Sequence, residues 1–134
     1  MDWVELDKET QYLQNYVALQ RARSNSNLVI TLDVQIQDPS VQIAPLLFVP
    51  FLENAFKFSS RDDNRTNHIN IRLQQTGNTI QFRCSNSFED NGQPTGGIGL
   101  TNVTRRLELL YKDRYTLNVQ SEEDMYSVQL NLML

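Results

Sequence analysis

One short stretch of the chain combines residue types that can hold a magnesium-bound phosphate. Glu53, Asn54 and Lys57 lie in the sequence ENAFK, near the end of an otherwise apolar run. An amide oxygen can complete the shell of Mg²⁺, which prefers oxygen ligands and keeps several waters. An ammonium three residues further on lies on roughly the same side of a helix and can meet phosphate oxygens. The alternative is a surface pair of Glu53 with Lys57, with Asn54 bonded to a loop.

A second candidate is a group of glycines that precedes a predicted helix, in the sequence GGIGL of residues 96–100. Free backbone N–H groups and the helix dipole favour an anion at such a place. The GKS or GKT of a P-loop is absent, and no parallel β–α–β frame precedes these glycines as it would in a dinucleotide-binding fold. The alternative is a flexible loop whose glycines only start a helix.

Several single residues are further candidates. The side-chain oxygen of Asn86, at the end of a predicted strand, could accept from the exocyclic amine of a base, although a strand-ending turn residue is the alternative. His68, the only histidine, is expected to be structural or solvated, and Cys84, the only cysteine, to be a core residue. Arg105 and Arg106 could reach phosphates, but a solvated helix face explains at least one of them.

The composition indicates one globular domain that does not bind nucleic acid. The chain has 134 residues, of which 40% are hydrophobic and 21% charged, and its net charge is −4. An acidic chain lacks the basic stripe that a nucleic-acid surface requires. A single cysteine excludes an internal disulfide and a cysteine-rich zinc site. No apolar run reaches ~18 residues, so the chain is not expected to span a membrane.

The elements that would position these residues follow from the spacing of apolar positions. A helix is predicted over 7–23 with Asp7 as its N-cap, and a buried helix over 45–58 with Pro45 in its first position. Pro50 is expected to start or kink the main part of that second helix. A third helix is predicted over 98–111. Strands are predicted over 28–34, 69–75, 80–84, 115–121 and 125–134.

The order of these elements predicts an α+β fold. A helix, a strand, a helix, two strands, a helix and two strands would form a two-layer α/β sandwich, a mixed sheet with helices on one face. Gly77 and Asn78 predict a hairpin between 69–75 and 80–84.

The candidate motifs resemble, in their order along the chain, the GHKL ATPase superfamily, whose shared unit is the Bergerat ATP-binding fold. Within it the chain is most similar to LytS/YehU-type sensor histidine kinases, through IAPLLFVPFLENAFKF (residues 43–58) and GGIGLTNVTRRLELLY (residues 96–111). The opening stretch resembles the segment that joins the phosphoacceptor helices to the catalytic domain. The resemblance therefore implies a linking helical segment at 1–24 and an ATP-binding catalytic domain at 25–134.

The resemblance also implies a role for each motif. Asn54 matches the N-box asparagine that coordinates Mg²⁺, and Lys57 matches the lysine near the phosphates. The glycines of 97–99 match the second glycine box, and the loop 87–97 would be the ATP lid. Asn86 falls where many relatives carry the aspartate that bonds the adenine amino group. The implied ATP-binding set is Asn54, Lys57, Asn86, Gly97, Ile98, Gly99, Leu100 and Arg105.

Three positions depart from the family pattern. Phe58 stands where relatives commonly have histidine. Tyr126 stands near the position where a Gly-Thr pair often opens the last strand in relatives. Asn86 replaces the aspartate, and the usual Asp-x-Gly-x-Gly box is missing. An asparagine accepts from the adenine amine but carries no charge, so weaker adenine binding is expected.

The implied reaction is transfer of the ATP γ-phosphoryl to a histidine on a separate helical segment, with Mg²⁺ as cofactor. His68 is not in such a helix, so the chain is expected to bind nucleotide without phosphorylating itself. The alternative is a degenerate nucleotide-binding or interaction domain without catalysis. Hydrolysis of ATP is disfavoured, because Pro50 stands where GHKL ATPases place a glutamate.

The resemblance implies partners as well. These are ATP, the phosphoacceptor helical domain of the same protein and a downstream response regulator. The parent protein would be a homodimer that can be anchored in the inner membrane, with this domain in the cytoplasm.

Overall fold

The structure is a computed structural model that describes residues 2–24, 27–59, 66–88, 97–122 and 124–134, and only the backbone at 58 and 97–99. The helices are α1 (Leu6–Arg23), α2 (Val49–Phe58) and α3 (Gly97–Leu110). The strands are β1 (Val4–Glu5), β2 (Leu28–Ile36), β3 (Gln42–Ile43), β4 (Asn67–Thr76), β5 (Thr79–Ser87), β6 (Tyr115–Glu122) and β7 (Met125–Met133).

Five of the strands form one mixed sheet in the order β2-β4-β5-β7-β6. Strands β2 and β4 pair in parallel, because the chain crosses from one to the other through α2, whereas the other three pairs are antiparallel. The predicted hairpin between β4 and β5 is confirmed: Thr76 pairs with Thr79, and Gly77 takes a φ of 57° that glycine adopts without steric cost.

The sheet buries one face, and the helices lie on it. Successive strand residues point to opposite faces, so a strand covered on one side alternates between apolar and polar positions. The buried positions of the three central strands include Ile69, Ile71, Leu73, Ile80, Phe82, Cys84, Val128, Leu130 and Leu132. The predicted α+β sandwich, with helices on one face of a mixed sheet, is therefore confirmed.

Helix α2 packs on β5 through aromatic rings. The ring of Phe48, just before the helix, stacks on Phe82 with centroids 4.9 Å apart, and Phe51 meets the same ring at 5.7 Å. Helix α3 packs in turn against α2. Offset aromatic contacts of this kind add to the free energy gained by burying the rings.

Helix α1 shares the core of the sheet. Its inward residues Leu6, Leu13 and Val17 belong to the same buried cluster as the strands. At its far end Arg21 donates from Nη2 to the carbonyl of Ile30 on β2 at 2.8 Å. The helix is preceded by β1, which pairs with β3 in a two-stranded sheet that the periodicity did not predict.

Two predicted helix starts are wrong. Helix α1 begins at Leu6 with Glu5 as its N-cap, so Asp7 lies in the first turn and not at the cap. Helix α2 begins at Val49 and not at Pro45, since the backbone turns at Leu46 with a φ of 54°. Pro50 occupies the first turn of α2, as expected for a residue without an N–H group.

None of the described helices is long and apolar enough to cross a membrane. The functional division of the chain at residue 24 stays a prediction.

The aromatic contact leads to a prediction about stability. Phe82 is fully buried, so Phe82→Ala removes the ring on which α2 rests and should lower the free energy of unfolding by about 3–5 kcal/mol. Denaturant unfolding of the purified chain measures this. Leu109→Ala is the control, because that side chain is 78% exposed and its loss should change stability by only ~0.5 kcal/mol. Equal effects of the two changes would contradict the packing described.

Candidate functional site

Asn54 is the polar residue on the buried side of α2. Its neighbours Phe51, Leu52 and Ala55 are buried, and Asn54 itself is half-buried. Within the described part of the chain no hydrogen-bond partner is recorded for its side chain. Both its oxygen and its nitrogen are therefore open to a ligand.

Lys57 lies three residues after Asn54 and is exposed, as is Glu53. Residues three apart on a helix are neighbours, so an ammonium and an amide share one side of α2 near its end. This arrangement matches the predicted pair. The side chain of Phe58, where relatives commonly carry histidine, lies outside the described part.

The direction of α2 follows from its contacts with β5. Phe48 touches Phe82, whereas Phe51 touches Phe82 through its ring and Cys84 through its carbonyl oxygen, 3.9 Å from Sγ. Moving along the helix thus moves along the strand in the same direction. The C-terminal half of α2, which carries Asn54 and Lys57, therefore lies towards the C-terminal end of β5.

Asn86 lies at that end of β5, on the buried face. It is only 1% exposed, and its Nδ2 donates to the carbonyl of Ser87 at 3.0 Å. This hydrogen bond fixes the orientation of the amide and leaves Oδ1 as the atom that could accept from a base. The residue stands inside the strand and does not end it.

Two aromatic side chains lie next to Asn86. Tyr126 pairs with it across β5 and β7, is 5% exposed, and has its ring 6.2 Å from that of Phe88. A tyrosine at this position fills space that a Gly-Thr pair would leave open. The departure noted at Tyr126 therefore concerns the surroundings of Asn86 directly.

The glycine segment enters α3 as predicted. Gly97 begins the helix, and Leu100 is partly buried against the core. Arg105 is exposed. Gly96 and most of the predicted lid, residues 89–96, lie outside the described part. Because α3 packs on α2, the start of one helix and the Asn54 side of the other belong to the same layer.

The neighbouring Arg106 has a different role from the one considered for it. Its guanidinium donates from Nη2 to the carbonyl of Pro45 at 2.7 Å and from Nη1 to that of Leu46 at 3.3 Å. Glu9, a buried carboxylate on α1, accepts from the N–H of Leu46 at 2.9 Å. Sequence reasoning missed Glu9, although its spacing of four residues before Leu13 puts it on the inward stripe.

The two residues predicted to be uninvolved are accounted for structurally. His68 is exposed on β4, in a strand and not in a helix, and its backbone N–H donates to Ser87 Oγ at 2.9 Å. Cys84 is buried, and burial raises the pKa of its thiol from 9.0 to about 12. A thiol that stays protonated is a poor nucleophile, which agrees with the prediction of a core cysteine.

Known proteins similar to this chain are sensor histidine kinases, although no family model matches it. Sensor histidine kinase YesM of Bacillus subtilis (strain 168) is 28% identical over 133 residues, covering 92% of this chain and 22% of that protein. Sensor protein LytS of Staphylococcus epidermidis is 29% identical over 140 aligned residues, covering 90% of this chain and 23% of that protein. The chain thus spans about a fifth of the length of these curated relatives.

Solved structures share the fold across nearly the whole chain. The kinase domain of the blue-light activated histidine kinase of Erythrobacter litoralis superposes with a TM-score of 0.69 at 14% identity, covering 97% of this chain and 61% of that one. Full-length ShkA in complex with AMPPNP gives 0.68 at 15% identity, covering 98% and 31%.

The fold is that of a histidine kinase catalytic domain. The relatives found by sequence are sensor kinases of the LytS and YesM type, which is one group within the histidine kinases. Together the shared fold and the sequence relatives support the interpretation of this chain as a LytS-type histidine kinase ATP-binding domain.

Burial of Cys84 predicts slow reaction with thiol reagents. In the native chain at pH 8, 5,5′-dithiobis(2-nitrobenzoate) should react at least ~100-fold more slowly than in denaturant, because the thiolate is the reactive form and the folded thiol stays protonated. The absorbance of the released thiolate measures both rates.

The same pKa shift gives a pH dependence of stability. The unfolded thiol ionises from 9.0 upwards, whereas the folded thiol stays protonated to about 12, so its contribution to stability is lost as the pH rises through that window. The free energy of unfolding of a Cys84→Ala variant should therefore fall less steeply with pH between 9.0 and about 12 than that of the unaltered chain. Denaturant unfolding at several pH values measures this. In the experiment with the thiol reagent, equal reaction rates in the folded and unfolded states would show that the thiol is accessible.

Proposed function

We propose that this chain is the ATP-binding catalytic domain of a two-component sensor histidine kinase. It would present the γ-phosphoryl of ATP to a histidine on a separate helical segment of the same protein. The similarity to sensor kinases over most of the chain supports this, and so does the fold shared with ShkA, whose structure contains AMPPNP.

The observation that carries the proposal is the Asn54 amide. It is half-buried on a helix that packs against both β5 and α3, and within the described residues its side chain has no hydrogen-bond partner. An amide that is only half-buried can be reached by solvent and therefore by a ligand. An amide oxygen suits Mg²⁺, so the donor set fits a magnesium-bound nucleotide.

The other residues of the predicted set would act on the phosphates. Lys57 would bring a positive charge to them from the side of α2 that Asn54 occupies. The first backbone N–H groups of α3, at residues 97–99, have no partner within the helix and would hold an anion. Arg105, exposed on α3, would add a second charge. Mg²⁺, when bound, would neutralise phosphate charge during transfer.

The base would be recognised by Asn86 and its surroundings. With Nδ2 bonded to the carbonyl of Ser87, Oδ1 is oriented to accept from an exocyclic amine, which adenine has and guanine lacks at the corresponding position. Leu100, partly buried at the start of α3, would supply an apolar contact. Ile98 stays in the predicted set, and its side chain lies outside the described part. Neutral Asn86 would bind the amine more weakly than an aspartate.

The parent protein would contain the partners that the reaction requires. Residues 1–24 would link to the phosphoacceptor helices, and a response regulator would take the phosphoryl group onwards. We propose a homodimeric parent, with this domain in the cytoplasm and an anchor in the membrane elsewhere in the protein.

A second candidate function is a domain that signals without catalysis. The observation in its favour is the crowding near Asn86, where Tyr126 is buried and its ring lies against Phe88. If these rings occupy the place of the base, nucleotide is not bound and the domain acts by contact alone.

Binding of AMPPNP, a non-hydrolysable ATP analogue, separates the two functions. Calorimetric titration of this chain should show binding that strengthens at least ~10-fold when Mg²⁺ is added. In Asn54→Ala this dependence on Mg²⁺ should disappear, because the amide oxygen that holds the metal is gone.

Asn118→Ala is the matched control for that titration. Asn118 is exposed on β6, at an edge of the sheet away from α2. Its replacement by alanine should therefore leave the Mg²⁺ dependence of AMPPNP binding unchanged. Absence of AMPPNP binding by the unaltered chain, with or without Mg²⁺, would exclude the kinase proposal and favour the second function.

The isolated chain should not phosphorylate itself. Incubation with γ-labelled ATP and Mg²⁺ should leave no acid-labile label on it, because His68, its only histidine, lies on a strand. Label that survives alkali and is lost in acid would overturn this expectation. Its disappearance in His68→Gln would then identify the acceptor.

A further inference from the structure

The backbone just before α2 is held in a conformation that its sequence does not favour. In residues 44–48, which we call the Leu46 turn, Leu46 has a φ of 54°. This left-handed region is uncommon for residues with a Cβ and costs energy for leucine. The Leu46 side chain is 48% exposed, so burial of that side chain does not hold the turn.

Hydrogen bonds from two other helices hold the Leu46 turn instead. Glu9 on α1 accepts from the Leu46 N–H at 2.9 Å. Arg106 on α3 bridges two successive carbonyls, at 2.7 Å from Pro45 and 3.3 Å from Leu46. The fork of donors in a guanidinium suits such a pair of acceptors, which a single ammonium cannot reproduce.

Tyr111, the residue that follows α3, adds a fourth hydrogen bond. Its hydroxyl accepts from the N–H of Ala44 at 3.0 Å, and the contact is buried. Three successive residues therefore have backbone groups bonded to side chains that are distant in sequence. The conformation of the turn depends on where α1 and α3 lie.

Glu9 is an unusual residue to bury for stability alone. It is 4% exposed, and its second oxygen, Oε2, has no hydrogen-bond partner in the described part of the chain. A half-satisfied buried carboxylate is costly, and an apolar residue of similar size would often be at least as stable there. By accepting from the N–H of Leu46, however, this carboxylate connects α1 to the Leu46 turn.

The Leu46 turn leads directly into the helix that carries Asn54. Helix α2 begins at Val49, and Asn54 lies less than two turns further along it. Arg106 lies on the same helix whose first residues are 97–99. Because helices move as rigid rods over such lengths, fixing the start of α2 against α3 also fixes Asn54 relative to the N-terminus of α3.

We infer that Glu9 and Arg106 are positioning residues of the nucleotide site. They act through the Leu46 turn, which sets the distance between the amide of Asn54 and the backbone N–H groups of 97–99. Helix α1 thereby reaches the site through one carboxylate. The inference rests on the proposed function, since it concerns the same Mg²⁺–nucleotide site.

The test compares AMPPNP affinity in the presence of Mg²⁺ with thermal stability for the same variants. Arg106→Gln should weaken binding about 10-fold, because both carbonyl bonds are lost and the two halves of the site separate. Arg106→Lys keeps the charge but has only one donor nitrogen, so its affinity should fall between that of this variant and that of the unaltered chain. Lys112→Gln is the charge-matched control, exposed just after α3, and should bind as the unaltered chain does.

Glu9 is tested by a conservative pair of changes. Glu9→Gln keeps an oxygen that can accept from the Leu46 N–H and should bind AMPPNP within about 2-fold of the unaltered chain. Glu9→Ala removes that acceptor and should bind about 10-fold more weakly. The double variant Glu9→Ala with Arg106→Gln should lose less than the product of the two single losses, because both act on one turn.

The outcomes distinguish this inference from the proposed function. If the unaltered chain binds AMPPNP and the folded variants bind it equally well, with only the unfolding midpoint lowered, Glu9 and Arg106 are structural residues and the inference is wrong. If the unaltered chain does not bind at all, the proposed function fails first and the inference fails with it. Titration below the lowest unfolding midpoint, checked by circular dichroism, keeps every variant folded, and Arg106→Lys and Glu9→Gln remain informative if the larger changes prevent folding.

Discussion

The stack of Phe48 and Phe51 on Phe82 is the contact on which the rest of the site depends. A sheet that buries one face must be covered by helices, but burial alone does not say which way a helix runs across it. Both rings meet Phe82, and the carbonyl oxygen of Phe51 also contacts Cys84, two residues further along the strand, so α2 runs along β5 in the same direction. The polar groups on α2 take their position from that alignment, and so do those on α3, which packs on α2.

Apolar packing orients α2, and polar contacts determine where it begins. A leucine in the left-handed region costs about 1–3 kcal/mol, whereas each hydrogen bond to the Leu46 turn contributes about 0.5–1.5 kcal/mol. Four such bonds from Glu9, Arg106 and Tyr111 offset the strain. The turn is therefore stable only in the assembled fold, and it joins all three helices at one place.

Periodicity in the sequence was enough to predict the sheet and the face that the helices cover. Alternation in β4, β5 and β7 is a local pattern, and so is the apolar stripe of α3. The start of α2 was misplaced because Pro45 suits a first helical position locally, and the bonds that prevent a helix there come from distant residues. The two-residue strands β1 and β3 are too short to show any period.

The site was predictable in part for the same reason. Asn54 and Lys57 are adjacent on one helix, so their spacing alone places them together. The burial of Asn86, its bond to the carbonyl of Ser87 and the nearby ring of Tyr126 depend on pairing between strands that are distant in sequence. Nothing in two consecutive arginines indicates that Arg106 bonds to the backbone while Arg105 is exposed.

The bond from Arg21 to Ile30 has a consequence for how the protein behaves outside its folded form. Strand β2 lies at one edge of the sheet, where unpaired backbone groups can pair with another molecule. By donating to one of its carbonyls and packing beside it, α1 occupies one of the backbone groups through which this edge could pair with another strand. A fragment that begins after α1 would expose both the core and this edge, and its aggregation would then reflect a missing cover and not a defect of the sheet.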